Sequence, residues 1–303
     1  MATAFLLLAV PIGRMSSAAT HVLAAGGGNW SSAASWASGG IPTSGEMGGT
    51  IVQIPGSTTS TDDIAGLVVD LLDFTGSGAI LNGGPSVTLG ISGLALLTNL
   101  QAAGTTQINP SLPIVLSGNN CGVTVTAGTL SIYSNISGSQ GLYKLGGTGD
   151  LALGHSNSYT GKTIVTIGTL RLTGAIANAT IPGDLEVGDG AGAAYSAVLA
   201  INSALEQIAD TSNVKIYSDG WFLLPASLPL ERFGSLTMTG GLLQTDPANS
   251  VAPGNVTATS TAAGPAQIAA TVSIAGGALT NFSVADGPAA DDLVLNRPIV
   301  ESA

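Results

Sequence analysis

Along most of the chain apolar and polar residues alternate in short runs, and the clearest runs follow a glycine. Gly128-Thr-Leu130-Ser-Ile132, Gly149-Asp-Leu151-Ala-Leu153 and Gly168-Thr-Leu170-Arg-Leu172 are the sharpest instances. Gly183-Asp-Leu185-Glu-Val187 and Gly234-Ser-Leu236-Thr-Met238 are weaker ones. A period of two predicts short strands with one buried and one wet face, and helical spacing is nearly absent. The leading leucines of the first four instances lie 21, 19 and 15 residues apart, and Val198-Leu199-Ala-Ile201, Val214-Lys-Ile216 and Val256-Thr-Ala258 extend the series.

A unit returning at that interval predicts a coil of a solenoid. One short strand cannot bury its apolar face alone, but stacked coils align Leu, Val and Ile into a continuous column. Parallel stacking also satisfies each strand's backbone groups from the coils on either side. Glycine and asparagine at the corners allow the positive-φ turns that close a coil. A β-sandwich is the competing architecture. It is disfavoured because the units resemble one another and Asn82-Gly83 is the one Asn-Gly hairpin signal.

Composition sharpens this picture. Of 303 residues only 8% are charged, 45% are hydrophobic and 43 are Gly, which excludes a disordered chain. Aromatics are 4%, so the core is built from small branched side chains. Seven Lys+Arg against 18 Asp+Glu give a net charge of −11, which excludes nucleic acid and anionic membrane surfaces as partners. The single cysteine, Cys121, has no partner for an internal disulfide.

The stretch Gly141-Leu142-Tyr-Lys144-Leu-Gly-Gly-Thr-Gly149-Asp-Leu151-Ala-Leu153 continues through Asn157-Ser-Tyr159-Thr160-Gly161-Lys-Thr163-Ile-Val165 to Gly168-Thr169-Leu170. It resembles the autotransporter-associated β-strand repeat, G-L-x-K-x-G-x-G-x-L-x-L, then N-x-Y-T-G-x-T-x-V, then G-T-L. Asp150 stands where Thr is usual and His155 where Ser is common. Upstream, Asn29-Trp30, Trp36 and Gly39-Gly-Ile-Pro42 are similar to the opening of many such secreted proteins. The resemblance implies a right-handed, single-stranded parallel β-helix, exported and displayed on, or released from, a bacterial cell. The repeat belongs there to export and folding of a stalk rather than to chemistry, and no cofactor is expected.

At the N-terminus the apolar run Phe5–Ile12, followed by Ser16-Ser17-Ala18-Ala19 and Ala24-Ala25, reads as an export signal, although Met1-Ala2-Thr3-Ala4 carries no cation. A start lying inside a longer signal and a buried N-terminal segment are both open. The run is too short to span a membrane. The C-terminal Pro298–Ala303 reads as strand material, as in a fragment or an early stop. The expected organisation is a signal-like segment at 1–25, an irregular cap at 26–65 and a β-helix at 66–303, with the repeat centred on 120–240.

Candidate chemistry is sparse. His21 falls in the signal-like segment and His155 on a predicted coil corner, and G-x-S-x-G is absent. Gly146-Gly-Thr-Gly149-Asp150 is similar to one copy of a calcium-binding nonapeptide, but the aspartate comes one place early and no second copy follows. Gly188-Asp-Gly190-Ala-Gly192-Ala193, after the apolar Leu185-Glu-Val187, matches a dinucleotide-binding glycine pattern, yet no buried run of Val and Ile precedes it and Tyr195-Ser196 and Asn202-Ser203 interrupt the helix it needs. Asp184 and Glu186, two apart on a strand, would point the same way about 7 Å apart. They are the best carboxylate pair for a polysaccharide lyase or hydrolase, but no cation adjoins them in sequence. Other acids cluster at Asp62-Asp63, Asp70/Asp73 and Asp291-Asp292. Trp221-Phe222 forms the densest aromatic patch, read as core or cover, with sugar stacking by Trp221 or Tyr159 as the alternative.

The expected function is therefore an exported structural or adhesin-like stalk without catalysis, secreted or at a bacterial cell surface. Its expected partners are host or environmental glycans or cell-surface proteins, with self-association through open solenoid ends. Membrane attachment would come only through a C-terminal anchor. A β-helix carbohydrate-active enzyme and a glycan-binding module are the alternatives.

Overall fold

The computed structural model describes residues 18–90, 95–99, 104–224, 230–275 and 280–302. Those residues form a single-stranded parallel β-solenoid with almost no helix. Most turns place one strand in a first sheet of fifteen strands and the next in a second sheet of twelve. All pairings between strands are parallel except that of Ala19–Leu23 with Trp36–Ser38. Asn82-Gly83 lies inside the parallel strand Ile80–Gly83 and turns no hairpin.

Alternation decides which face is buried. In the second sheet Leu130, Leu151, Leu170, Leu199, Phe222, Leu243 and Ile268 occupy one inward column, each at most 1% exposed. Burying each such side chain contributes about 1.5–3 kcal/mol. In the first sheet the column runs Val123, Lys144, Val165, Val187, Ile216, Met238 and Ala258. A lysine thus holds a position that is apolar in the other turns of that column.

The repeat interval read from the sequence crosses sheets. Leu185 and Leu236 belong to the first sheet, aligned through Val214, so the 15-residue step from Leu170 is not a full turn. The full turn from Leu170 ends at Leu199, 29 residues on. The extra length is the irregular stretch 173–184 and the loop 188–196, where turn residues interrupt the alternation.

The solenoid changes cross-section along its length. A third, four-stranded sheet built from Val68–Val69, Val87–Leu89, Ile114–Leu116 and Ile136–Gly138 closes the early turns. Beyond it, the third side continues through hydrogen bonds such as Ser158 N–H to Ile136 O and through the bridge between Ile181 and Ile208.

The boundaries expected at the N-terminus need correction. Ala19–Leu23 pairs with Thr50–Ile54, so residues 18–25 belong to the folded body rather than to a signal-like segment ending at 25. The span 26–65 is not irregular either, since Thr50–Ile54 and Thr59–Asp62 stack directly on the next turn. His21, assigned to the signal-like segment, is buried at 3% exposure and pairs with Glu46 at 2.7 Å. Its ring meets Trp36 edge-on at 5.9 Å, Trp36 meets Trp30 at 5.8 Å, and the Trp36 indole donates to Trp30 O. The Phe5–Ile12 run lies outside the described residues.

Candidate functional site

The repeat residues converge on one device. Lys144 is 1% exposed, and its ammonium donates to the carbonyls of Gly146 (2.7 Å), Gly147 (2.8 Å) and, from the next turn, Ile167 (3.1 Å). Burial pushes its pKa down to about 8, and the nearby Asp150 works in the opposite direction. The loop that resembles a calcium nonapeptide therefore carries its own cation. Gly168, at φ 74°, makes the reach possible, because a Cβ there would lie 2.9 Å from Lys144 Nζ and 2.5 Å from Gly147 O. Gly161 passes equally close to the preceding turn, where a Cβ would sit 2.3 Å from Gly141 N.

The remaining repeat positions also join turns. Asn157 accepts from Ile136 N–H in the turn before and donates to Thr180 O in the turn after. Thr160 N–H donates to Gly138 O, and Gly141 N–H to the Asn120 side chain. Leu142, Leu151, Leu153, Val165 and Leu170 fill the core, Thr163 is buried with them, and Thr169 faces outward between Asp150 and Val198. Gly149 closes against Val125 and Ala127. Tyr159 is 1% exposed with its hydroxyl 2.6 Å from Thr163 Oγ1, and burial pushes its phenol pKa far up. It cannot stack a ligand, which removes that alternative.

The acids are spread over the surface and interior. Glu186 pairs with Lys162 at 2.8 Å, a cation that does not adjoin it in sequence but lies in the immediately preceding turn. Asp184 accepts from the Asn213 backbone and side chain, Asp150 pairs with Arg171, and Glu206 pairs with Arg232 at 2.6 Å. Asp63 accepts from Ser31, Asp70 from Thr50 N–H and Asp292 from Ser260. Among the described residues no three His, Cys, Asp or Glu side chains gather as a metal site. His155 sits half-buried beside Ser156 O.

Among the buried carboxyls, two have their pKa values pushed up. Glu231 is fully buried, accepts from the backbone N–H groups of Gln207 and Ile208, and burial pushes its pKa up to about 8. Burial likewise raises Asp62 to about 7.

One edge of the solenoid is different in kind. Where the chain passes from the first sheet to the second, the turns at 166–167, 218–219 and 240–241 are two residues long, whereas those at 188–196 and 260–265 are nine and six. The two long loops stand proud of the short turns between them. The first is pinned by Asp219, 1% exposed, whose carboxylate accepts from Asp189 N–H (3.1 Å) and Gly190 N–H (2.7 Å). Asp189 in turn accepts from Ala191 N–H at 2.9 Å. The Gly188-Asp-Gly190-Ala-Gly192 run is thus a stapled loop leading into the strand Ala197–Ile201, with no helix after it.

Trp221 lies on the outer face beside that loop, half-buried, with its ring 5.8 Å from Tyr195. Its indole nitrogen is covered and has no hydrogen-bond partner among the described residues. Phe222, next to it, points into the core. The exposed aromatic of this patch is therefore Tyr195, which sequence reading treated only as an interruption. The one signal that could have found it is the lengthened interval between Leu170 and Leu199.

The chain matches no family model, no characterised protein and no solved structure.

Proposed function

We propose that the protein is an exported, adhesin-like stalk displayed on or released from a bacterial cell, and that its repeat serves the stack rather than catalysis. The observation that carries this reading is the buried Lys144 clamp. The residue most distinctive of the repeat spends its charge on three backbone carbonyls across two turns, the work of a structural part. Asn157, Thr160 and Gly161 do the same at other points of the turn. Three ion pairs, Lys162–Glu186, Arg171–Asp150 and Arg232–Glu206, each link neighbouring turns, so most of the scarce cations also hold the rod together.

The reading is tested with antibody raised against the purified chain and applied to intact and to permeabilised cells of the native host. Labelling of intact cells, or recovery of the chain from the medium, is the expected result. Labelling that appears only after permeabilisation overturns it.

A further inference from the structure

The trough between the two proud loops has the features of a ligand site. Its walls, residues 188–196 and 260–265, are three turns apart, roughly 14 Å at the spacing of adjacent strands. Between them lies an open depression of about 100 Å³, bordered by Gly192, Tyr195, Ser218, Gly241, Thr261 and Gln267. Gln267 belongs to an outward column that runs Val198, Trp221, Leu242, Gln267 along the second sheet, so an aromatic and aliphatic ladder leads into the trough.

Three observations bear on its use. Tyr195 is 41% exposed and adopts φ 63°, a backbone conformation that costs an aromatic residue energy and persists only where its surroundings impose it. The surroundings are identifiable: Asp219 staples the start of the loop, Ser196 N–H donates to Ala193 O at its end, and Trp221 backs the Tyr195 ring. Folding thus fixes an aromatic face towards solvent that it could have left flexible. Second, among the described residues no charged side chain borders the depression. Third, the polar groups that border it, beside Ala194, Ala263 and Pro265, are hydroxyls, a carboxamide and glycine backbone, and the Ser218 and Gln267 side chains have no hydrogen-bond partner among the described residues.

An aromatic face beside the open Ser218 and Gln267 groups, and beside a Thr261 hydroxyl that holds its own loop through Ala263 N–H and Gly264 O, matches a sugar ring, which offers C–H groups on one face and hydroxyls around its edge. An acidic glycan would call for Arg or Lys, and a wholly apolar ligand for an enclosed apolar pocket. We propose that this trough binds a neutral glycan, one ring stacking on Tyr195 while Ser218, Thr261 and Gln267 meet its hydroxyls. Trp221 acts through Tyr195 as a positioning residue. The proposal stands apart from the surface-display reading, since it concerns the purified chain in solution.

The experiment is calorimetric titration of the purified protein with cellohexaose, maltohexaose, xylohexaose, mannohexaose and chitohexaose, with oligogalacturonate as the acidic counterpart. Tyr195→Ala should weaken the binding of whichever neutral oligomer is taken by about tenfold or more, without lowering the melting temperature. Tyr195→Gly is the second variant. It relieves the backbone conformation, so it should melt at or above the wild-type temperature and still lose binding. Binding to no neutral oligomer at millimolar concentration, binding to oligogalacturonate alone, or wild-type affinity in both variants would each overturn the proposal.

Discussion

Two corners on one edge of the solenoid, at residues 147–149 and 188–196, are held by opposite charges. At the first, backbone carbonyls from two turns converge on the Lys144 ammonium, which is buried in a column of valines. At the second, backbone N–H groups converge on the buried Asp219 carboxylate. Both devices satisfy turn groups that strand pairing leaves over. The consequences differ. A cation reaching up from the core pulls its turn tight against the stack, and the corner ends flush. An anion at the following turn fastens only the start of the loop, and the remainder stands out with Tyr195 at its crest. The same edge therefore carries a short corner fastened by a cation and a long loop fastened by an anion.

The comparison can be broken in stages. Leu170→Asp places a charge in the inward column both corners depend on and should prevent folding, a loss above about 4 kcal/mol, seen as an absent β signal in circular dichroism. Lys144→Met keeps the volume but orphans three carbonyls, and should cost about 3 kcal/mol in chemical denaturation.

Glu231 sharpens the contrast, because its carboxyl captures N–H groups deep in the interior, where burial favours the protonated form. Its pKa rises on folding from 4.5 to about 8, so the folded state holds the extra proton between those values. Stability from this group is complete below pH 4.5 and is lost as pH rises through 8, with Asp62 adding the same sign up to about 7. The change should be on the order of a few kcal/mol. Melting temperatures between pH 5 and 8 check it: the wild type should fall, and Glu231→Gln should fall less, keeping only the Asp62 part, which ends near pH 7.

Asp219→Ala should cost about 1 kcal/mol, since the loop it frees is already exposed, while loosening residues 189–191. Arg171→Ala, which breaks an exposed pair with Asp150, should cost under about 1 kcal/mol and leave both corners in place.

How much of this was legible follows from what each feature depends on. The coil and its inward leucines were readable because alternation and glycine turns are local, and Leu130, Leu151 and Leu170 do share a column. The step to Leu185 misled because the strands of both sheets alternate alike, and the pattern alone does not say which sheet a strand joins. Lys144 was visible as a repeat residue, but its partner Ile167 lies in the next turn, so its burial was not. Tyr195 was missed for the same reason, since Asp219 and Trp221, which fix it, arrive one turn later. His21 was lost to the signal-like segment because small and apolar residues compose export signals and edge strands alike.

The most direct test of the two-corner account is amide hydrogen exchange, followed by mass spectrometry, on the wild type, Lys144→Met and Asp219→Ala. Lys144→Met should speed exchange more than about tenfold in peptides covering 146–150 and 166–168, leaving 189–191 near its wild-type rate. Asp219→Ala should do the reverse. Wild-type exchange at 146–150 and 166–168 in Lys144→Met would contradict the account, because the ammonium would then not be what holds that corner to the stack.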